Sequence, residues 1–183
     1  MLKQNKSKLP EHITYGVAES DLGPVLVASS AKGVVSILIG WESKKLVSDL
    51  RRRFPAADVS PGTTKDERLA RKVAGHIEKP KGDLDIALDL RGTPFQQKVW
   101  QALLAIPAGK TSSYRDIARK IGSPRAIRAV GNACGSNNLA LAVPCHRVLY
   151  SNGALSGGYH WGNDRQAALL AREGVKNVKQ AQP

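Results

Sequence analysis

Cysteine is scarce in this 183-residue chain, which has only Cys134 and Cys145. Neither belongs to a C-x-x-C pair, so there is no disulfide framework and no thiolate cluster for zinc. No metal and no cofactor are expected. Acid is scarce as well, with 15 Asp and Glu against 28 Lys and Arg. No run reaches the roughly 18 apolar residues of a membrane-spanning helix. Residues 1–10 are polar and lysine-rich, unlike an apolar leader. Together these absences predict a soluble cytoplasmic protein with no membrane partner, nucleoid-associated in a bacterium or nuclear in a eukaryote.

The net charge of +13 is unevenly spread. Residues 1–91 hold 16 Lys and Arg against 12 acids; residues 92–183 hold 12 against only Asp116, Asp164 and Glu173. A half with a balance of +9 points to a polyanion, and nucleic acid is the natural one. Lys3, Lys6 and Lys8 are either a phosphate-binding arm or an inert tail.

Residues 1–91 read as an α/β unit. Strands are expected at 13–18, 25–28 and 34–39, separated by Asp21-Leu22-Gly23-Pro24 and Ala31-Lys32-Gly33 turn chemistry. A helix over 43–54 carries Leu46, Val47, Leu50 and Phe54 on one face, and Pro55 stops it. A second starts near Thr64, with Thr64 and Glu67 at capping-box spacing and Leu69, Val73 and Ile77 sharing a face. Residues 85–90 alternate like a half-buried strand. No catalytic constellation is visible here. His12 and His76 are isolated, and Arg51-Arg52-Arg53 reads as a wet helix face, with a peripheral phosphate contact as the sharper option.

A second unit is expected over 92–176, with 177–183 as a tail. Thr93, Pro94 and Gln96 mark a helix start, and Phe95, Val99, Trp100, Leu103 and Leu104 form its core stripe. Ile106-Pro107-Ala108-Gly109 breaks it. Ser113 and Asp116 cap the next helix, which Gly122 ends; Ser123 caps another that Pro124 opens. Such a pair is a helix-turn-helix, either a structural hairpin or a DNA reader. On the second helix Ala126, Val130 and Cys134 suit the core, while Arg125, Arg128 and Asn132 recur on another face. Ala129, Gly131 and Ala133 would let the backbone approach a groove closely.

The remaining feature is Pro144-Cys145-His146-Arg147-Val148, at the end of an apolar run. A thiol beside a histidine can be held as the nucleophilic thiolate. With Phe95-Gln96-Gln97-Lys98-Val99-Trp100, Ile106-Pro107-Ala108-Gly109, Tyr114, Arg128-Ala129-Val130-Gly131, Gly135-Ser136-Asn137 and Leu169-Leu170-Ala171-Arg172-Glu173-Gly174, this pentapeptide resembles the O6-alkylguanine-DNA alkyltransferase family. The match is strong over 92–176 and loose before it.

The resemblance implies an N-terminal ribonuclease-H-like α/β domain and a C-terminal helix-turn-helix, winged-helix-like DNA-binding domain carrying the acceptor. It implies direct-reversal repair by a suicide methyltransferase. O6-methylguanine is flipped out of double-stranded DNA bound through its minor groove, and the methyl group passes irreversibly to Cys145. Cys145, His146, Glu173 and Asn137 would be the catalytic set, with the histidine acting through water and Glu173 orienting it. Tyr114 would rotate the nucleotide and Arg128 would fill the hole. Arg125, Ala126, Ala129, Gly131 and Ser113 would complete the DNA face. The substrate pocket would take Tyr159, Val148, Trp161 and His160, with the indole disfavouring benzyl-sized groups. The rim at 156–162 is one residue longer than usual in the family. The protein would be a monomer, with cooperative packing on DNA an option. The competing readings are a non-catalytic alkyl-lesion binder, which Cys145 opposes, a helix-turn-helix regulator and a thiol hydrolase. A phosphotriester-reading zinc domain is not expected, because its four cysteines are absent.

Overall fold

The computed structural model describes residues 10–80 and 82–180; Lys3, Lys6 and Lys8 lie outside them. The first elements are strands β1 (Glu11–Ala18), β2 (Val25–Ser30) and β3 (Gly33–Ile39), helix α1 (Ser43–Arg53), strand β4 (Ala57–Pro61) and helix α2 (Thr64–Glu78). The strands form one sheet in the order β3-β2-β1-β4, antiparallel except for the parallel β1–β4 pair. Strand alternation sorts the core by face. Leu26, Ala28 and Leu38 pack under Leu46 and Leu50 of α1. Val25, Val27, Ile37 and Ile39 face Val73 and Ile77 of α2 and continue into the core of residues 99–169. Gly16 is needed where α2 crosses β1, because a Cβ there would lie 2.3 Å from the Asp66 carbonyl oxygen.

Several expectations shift here. The capping box of α2 is Thr63 with Asp66, one residue earlier than expected; the buried Asp66 carboxylate also accepts from Thr14 Oγ1 at 2.9 Å. Strand β4 was not expected at all. Residues 85–90 form no strand, only a single bridge from Leu88 to Val34.

The remaining elements are α3 (Pro94–Leu104), β5 (Ser112–Ser113), α4 (Tyr114–Lys120), α5 (Ile127–Gly135), a 3₁₀ turn (Cys145–Arg147), β6 (Val148–Leu149) and α6 (Asn163–Arg172). Thr93 with Gln96 and Ser113 with Asp116 make the expected capping boxes. Trp100 is buried and donates to the Ala133 carbonyl at 2.9 Å, so Ala133 faces the core rather than a groove. Leu104, expected in the core stripe, is exposed. Ser123 and Pro124 do not open α5. They form a turn closed by Ala126 N–H to the Ser123 carbonyl, and the helix starts at Ile127 behind an Ala126 cap that makes no side-chain bond. Arg125 and Ala126 therefore stand before the helix.

The chain after α5 is held by the sheet. Ile37 N–H donates to the Asn138 carbonyl at 2.7 Å and Ala140 N–H to the Ile37 carbonyl at 3.1 Å, which lays residues 138–140 along the free edge of β3. The expected tail is tied as well, since Lys179 bridges residues 153–155. No helix among the described residues is long and apolar enough to cross a membrane.

Candidate active site

Cys145 opens the 3₁₀ turn and is almost fully buried. Asn137, itself buried, uses its amide as a connector. Its Nδ2 donates to the Val143 carbonyl at 2.8 Å and to Cys145 Sγ at 3.2 Å, and its Oδ1 accepts from Leu139 N–H at 2.8 Å. Burial pushes the Cys145 thiol up to about 11, against the pull of Asn137 and the backbone amides of the turn. The resting sulfur is thus a protonated thiol, not the thiolate expected from its neighbour. It must lose its proton during the reaction.

His146 does not bond to Cys145. Its Nε2 lies 2.8 Å from Glu173 Oε1, and its buried Nδ1 makes no hydrogen bond within the described protein. The reading of the sequence missed Arg147. Its guanidinium is buried and donates to Glu173 at 2.9–3.2 Å and to the Ile106 carbonyl at 2.5 Å. Against burial, which opposes it, the His146 bond and then this bidentate pair hold the Glu173 carboxyl down to about 2. Burial lowers the pKa of His146 against the opposing pull of Glu173, and the Arg147 charge adds a little to the lowering. A neutral imidazole with a free Nδ1 is a proton acceptor.

A cleft of about 630 Å³ opens beside this cluster, lined by Tyr114, Arg115, Ile127, Arg128, Asn132 and Tyr150 among others. Tyr114 and Tyr150 pack with tilted rings, centres 5.9 Å apart, and burial pushes the Tyr114 hydroxyl up to about 12. Arg125 and Arg128 are exposed and enter no ion pair among the described residues. Tyr114, Gly131 and Gly158 also line a cavity of about 20 Å³ that reaches Cys145, Cys134, Tyr159 and His160. Cys134, expected to be core packing, is buried there.

The expected site residues thus divide. Cys145, His146, Glu173 and Asn137 come together, as do Tyr114, Arg128 and Gly131 at the cleft. Ala129 is exposed nearby, whereas Arg125 and Ala126 sit in the preceding turn. Ser113 is buried, and both its hydroxyl and its N–H are engaged by Asp116, which leaves them little to offer a ligand. Tyr159 and His160 line the small cavity. Trp161 stands behind them, edge-on to Tyr159 at 5.4 Å and to His160 at 5.1 Å, and Val148 is fully buried in β6. Arg53, read as part of a wet face, is mostly buried and reaches this rim. No three His, Cys, Asp or Glu side chains among the described residues are grouped to hold a metal ion.

A family profile described as "6-O-methylguanine DNA methyltransferase, DNA binding domain" matches residues 94–175. The methylated-DNA–protein-cysteine methyltransferase of Mycobacterium bovis is 40% identical over 161 residues, covering 88% of this chain and 92% of that protein. The chain belongs to this family. The bifunctional transcriptional activator/DNA repair enzyme Ada of Escherichia coli is 46% identical over 161 residues; the chain spans 45% of its length. Among solved structures, Mycobacterium tuberculosis OGT in complex with DNA superimposes with a TM-score of 0.73 at 35% identity, covering 93% of this chain and 96% of that one. The mixed α/β architecture is therefore that of its methyltransferase relatives.

Proposed function

We propose that the protein repairs O6-methylguanine in double-stranded DNA by transferring the methyl group to Cys145, once per molecule. The reading rests on one observation: a buried thiol held by Asn137, with a neutral His146 and an ionised Glu173 behind it, lies on a small cavity that shares Tyr114, Gly131 and Gly158 with the cleft bearing Arg128. In the reaction the thiol proton passes through water to His146 Nδ1, and Glu173 stabilises the imidazolium. The sulfur lone pair forms the new S–C bond as the C–O6 bond breaks, and its electron pair stays on the guanine oxygen, which is protonated. A thioether has no route back, so turnover stops at one.

The finer assignments belong to the same proposal. Residues 1–91 are a ribonuclease-H-like unit and residues 92–176 the DNA-binding unit, with α4 and α5 as a helix-turn-helix. Helix α5 enters the minor groove, Arg128 fills the space left by the flipped base and Tyr114 crowds the backbone. The protein acts as a monomer at the DNA, in cytoplasm or nucleus. A regulator or lesion binder would have no use for the Asn137–Cys145 bond or the His146–Glu173 pair.

Intact mass after incubation with a duplex holding one O6-methylguanine tests this. The wild type should gain one methyl in place of hydrogen, stoichiometrically, and Cys145→Ala should gain nothing. Lesion binding without a mass gain would make the protein a recognition module.

A further inference from the structure

The run Arg51-Arg52-Arg53 ends α1, and its third member differs from the others. Arg52 is 77% exposed at its side chain, Arg53 only 17%. Arg53 bonds within its own helix and to two other pieces of chain. Nε donates to Asp49 Oδ2 at 2.9 Å, Nη1 to the Asn138 side-chain carbonyl, and Nη2 to His160 Nε2 at 2.6 Å. A guanidinium is a rigid planar fork, so satisfying all three fixes their relative positions. Asn138 is itself anchored, its backbone carbonyl accepting from Ile37 N–H and Ser36 Oγ of β3. His160 is the partner carried on a loop. It sits in the 156–162 rim between Gly157 and Gly162, both at positive φ, and lines the cavity at Cys145.

That cavity, at about 20 Å³, has room for about one water and none for a purine. The rim carrying His160 therefore borders the last step of any approach to the sulfur. We infer that Arg53 is a positioning residue for the acceptor pocket, clamping the rim to α1 and to the Asn138 turn through His160, and thereby limiting how large an O6 substituent is admitted. Burial and the Arg53 charge, in that order, keep the His160 pKa low, while Asp49 opposes them weakly, so the imidazole is the neutral acceptor the bond requires. The edge-on contact of His160 with Trp161 passes the restraint to the bulkiest group of the rim.

The substituent-size part of this inference rests on the proposed function, whereas the clamp itself can be read without DNA. The first arm measures labelling of Cys145 by N-ethylmaleimide in the full chain, located by peptide mass spectrometry to separate it from Cys134. Loss of a charge-assisted bond should speed labelling by about tenfold in both Arg53→Ala and His160→Ala, with the double variant no faster than the faster single. Unchanged labelling, or additive effects, would overturn the clamp. His160→Ala cuts only the rim end, so a folding defect in Arg53→Ala does not decide the matter. The second arm compares transfer from free O6-benzylguanine with transfer from methylated duplex, and the benzyl-to-methyl ratio of Arg53→Ala should rise about tenfold. An unchanged ratio overturns the size-limiting role. Absence of methyl transfer by the wild type overturns the proposed function instead, and the labelling arm still reads the clamp.

Discussion

At the scale of single residues, the site is a problem in proton inventory. A buried carboxylate touching an imidazole would ordinarily draw a proton onto the ring. Burial of the ring prevents this, and the charge of Arg147, whose Nη2 lies 2.9 Å from Glu173, works in the same direction. His146 is then neutral and ready to accept the proton that Cys145, up at about 11, still holds. Arg147→Gln should therefore raise the pKa of His146, since the uncompensated carboxylate now favours the imidazolium. The sign follows: methyl transfer at neutral pH slows because the acceptor is already protonated, and it recovers as pH rises past the raised pKa. A rate–pH series on both proteins checks this. A loss that is the same at every pH would mean that Arg147 is merely structural.

At the scale of elements, what could be read from the sequence depended on how far apart the partners lie. Capping boxes pair residues three apart, and those at Thr93 and Ser113 were legible as written. At α2 two threonines and two acids stand side by side, so the box was placed one residue late. Strand β4 was hidden because its pairing is with β1, the match of Glu11 with Ala57 spanning about half of residues 1–91. Arg53 was hidden for the same reason, its partners lying 85 and 107 positions away. The cluster around Cys145 was legible because Asn137, Cys145 and His146 are close in sequence and Glu173 belongs to a recognisable motif. On α5 the absence of a Cβ at Gly131 has its own consequence. An added methyl would meet only the Tyr114 ring, at 4.0 Å, so Gly131→Ala should fold. It should stabilise the helix by about 0.5–1 kcal/mol, yet weaken DNA binding if this face lies against the groove. Thermal melts and fluorescence anisotropy with duplex measure the two effects. A stabilised variant with unchanged affinity would remove Gly131 from the DNA face.

At the scale of the whole molecule, one guanidinium in α6 ties distant parts together. Arg165, buried, donates to the carbonyls of Leu22 at 2.8 Å, Gly40 at 2.7 Å and Trp161 at 2.8 Å, and lies 3.8 Å from the centre of the Trp41 ring. Two of those carbonyls flank β2 and β3, the third opens α6, and the apolar core is continuous between the same regions. Arg165→Met keeps much of the bulk but leaves three acceptors unpaired, which should cost about 3 kcal/mol. For a chain of this size that is a fall in Tm of roughly 6–12 °C. Calorimetry should show one transition moving down intact. A split into two transitions would mean that the halves are held together by Arg165 alone rather than by the shared core.

The three tryptophans occupy three unlike settings. Trp41 is 80% exposed, Trp100 is buried on a carbonyl, and Trp161 is buried edge-on to His160, behind the rim of the sulfur's cavity. The third makes the molecule its own optical gauge. Any swing of the rim carries that indole from a dry contact into water and away from its imidazole neighbour. The admission of a base should thus be visible as a red shift in ultraviolet emission, with no dye attached and before any bond to sulfur is made.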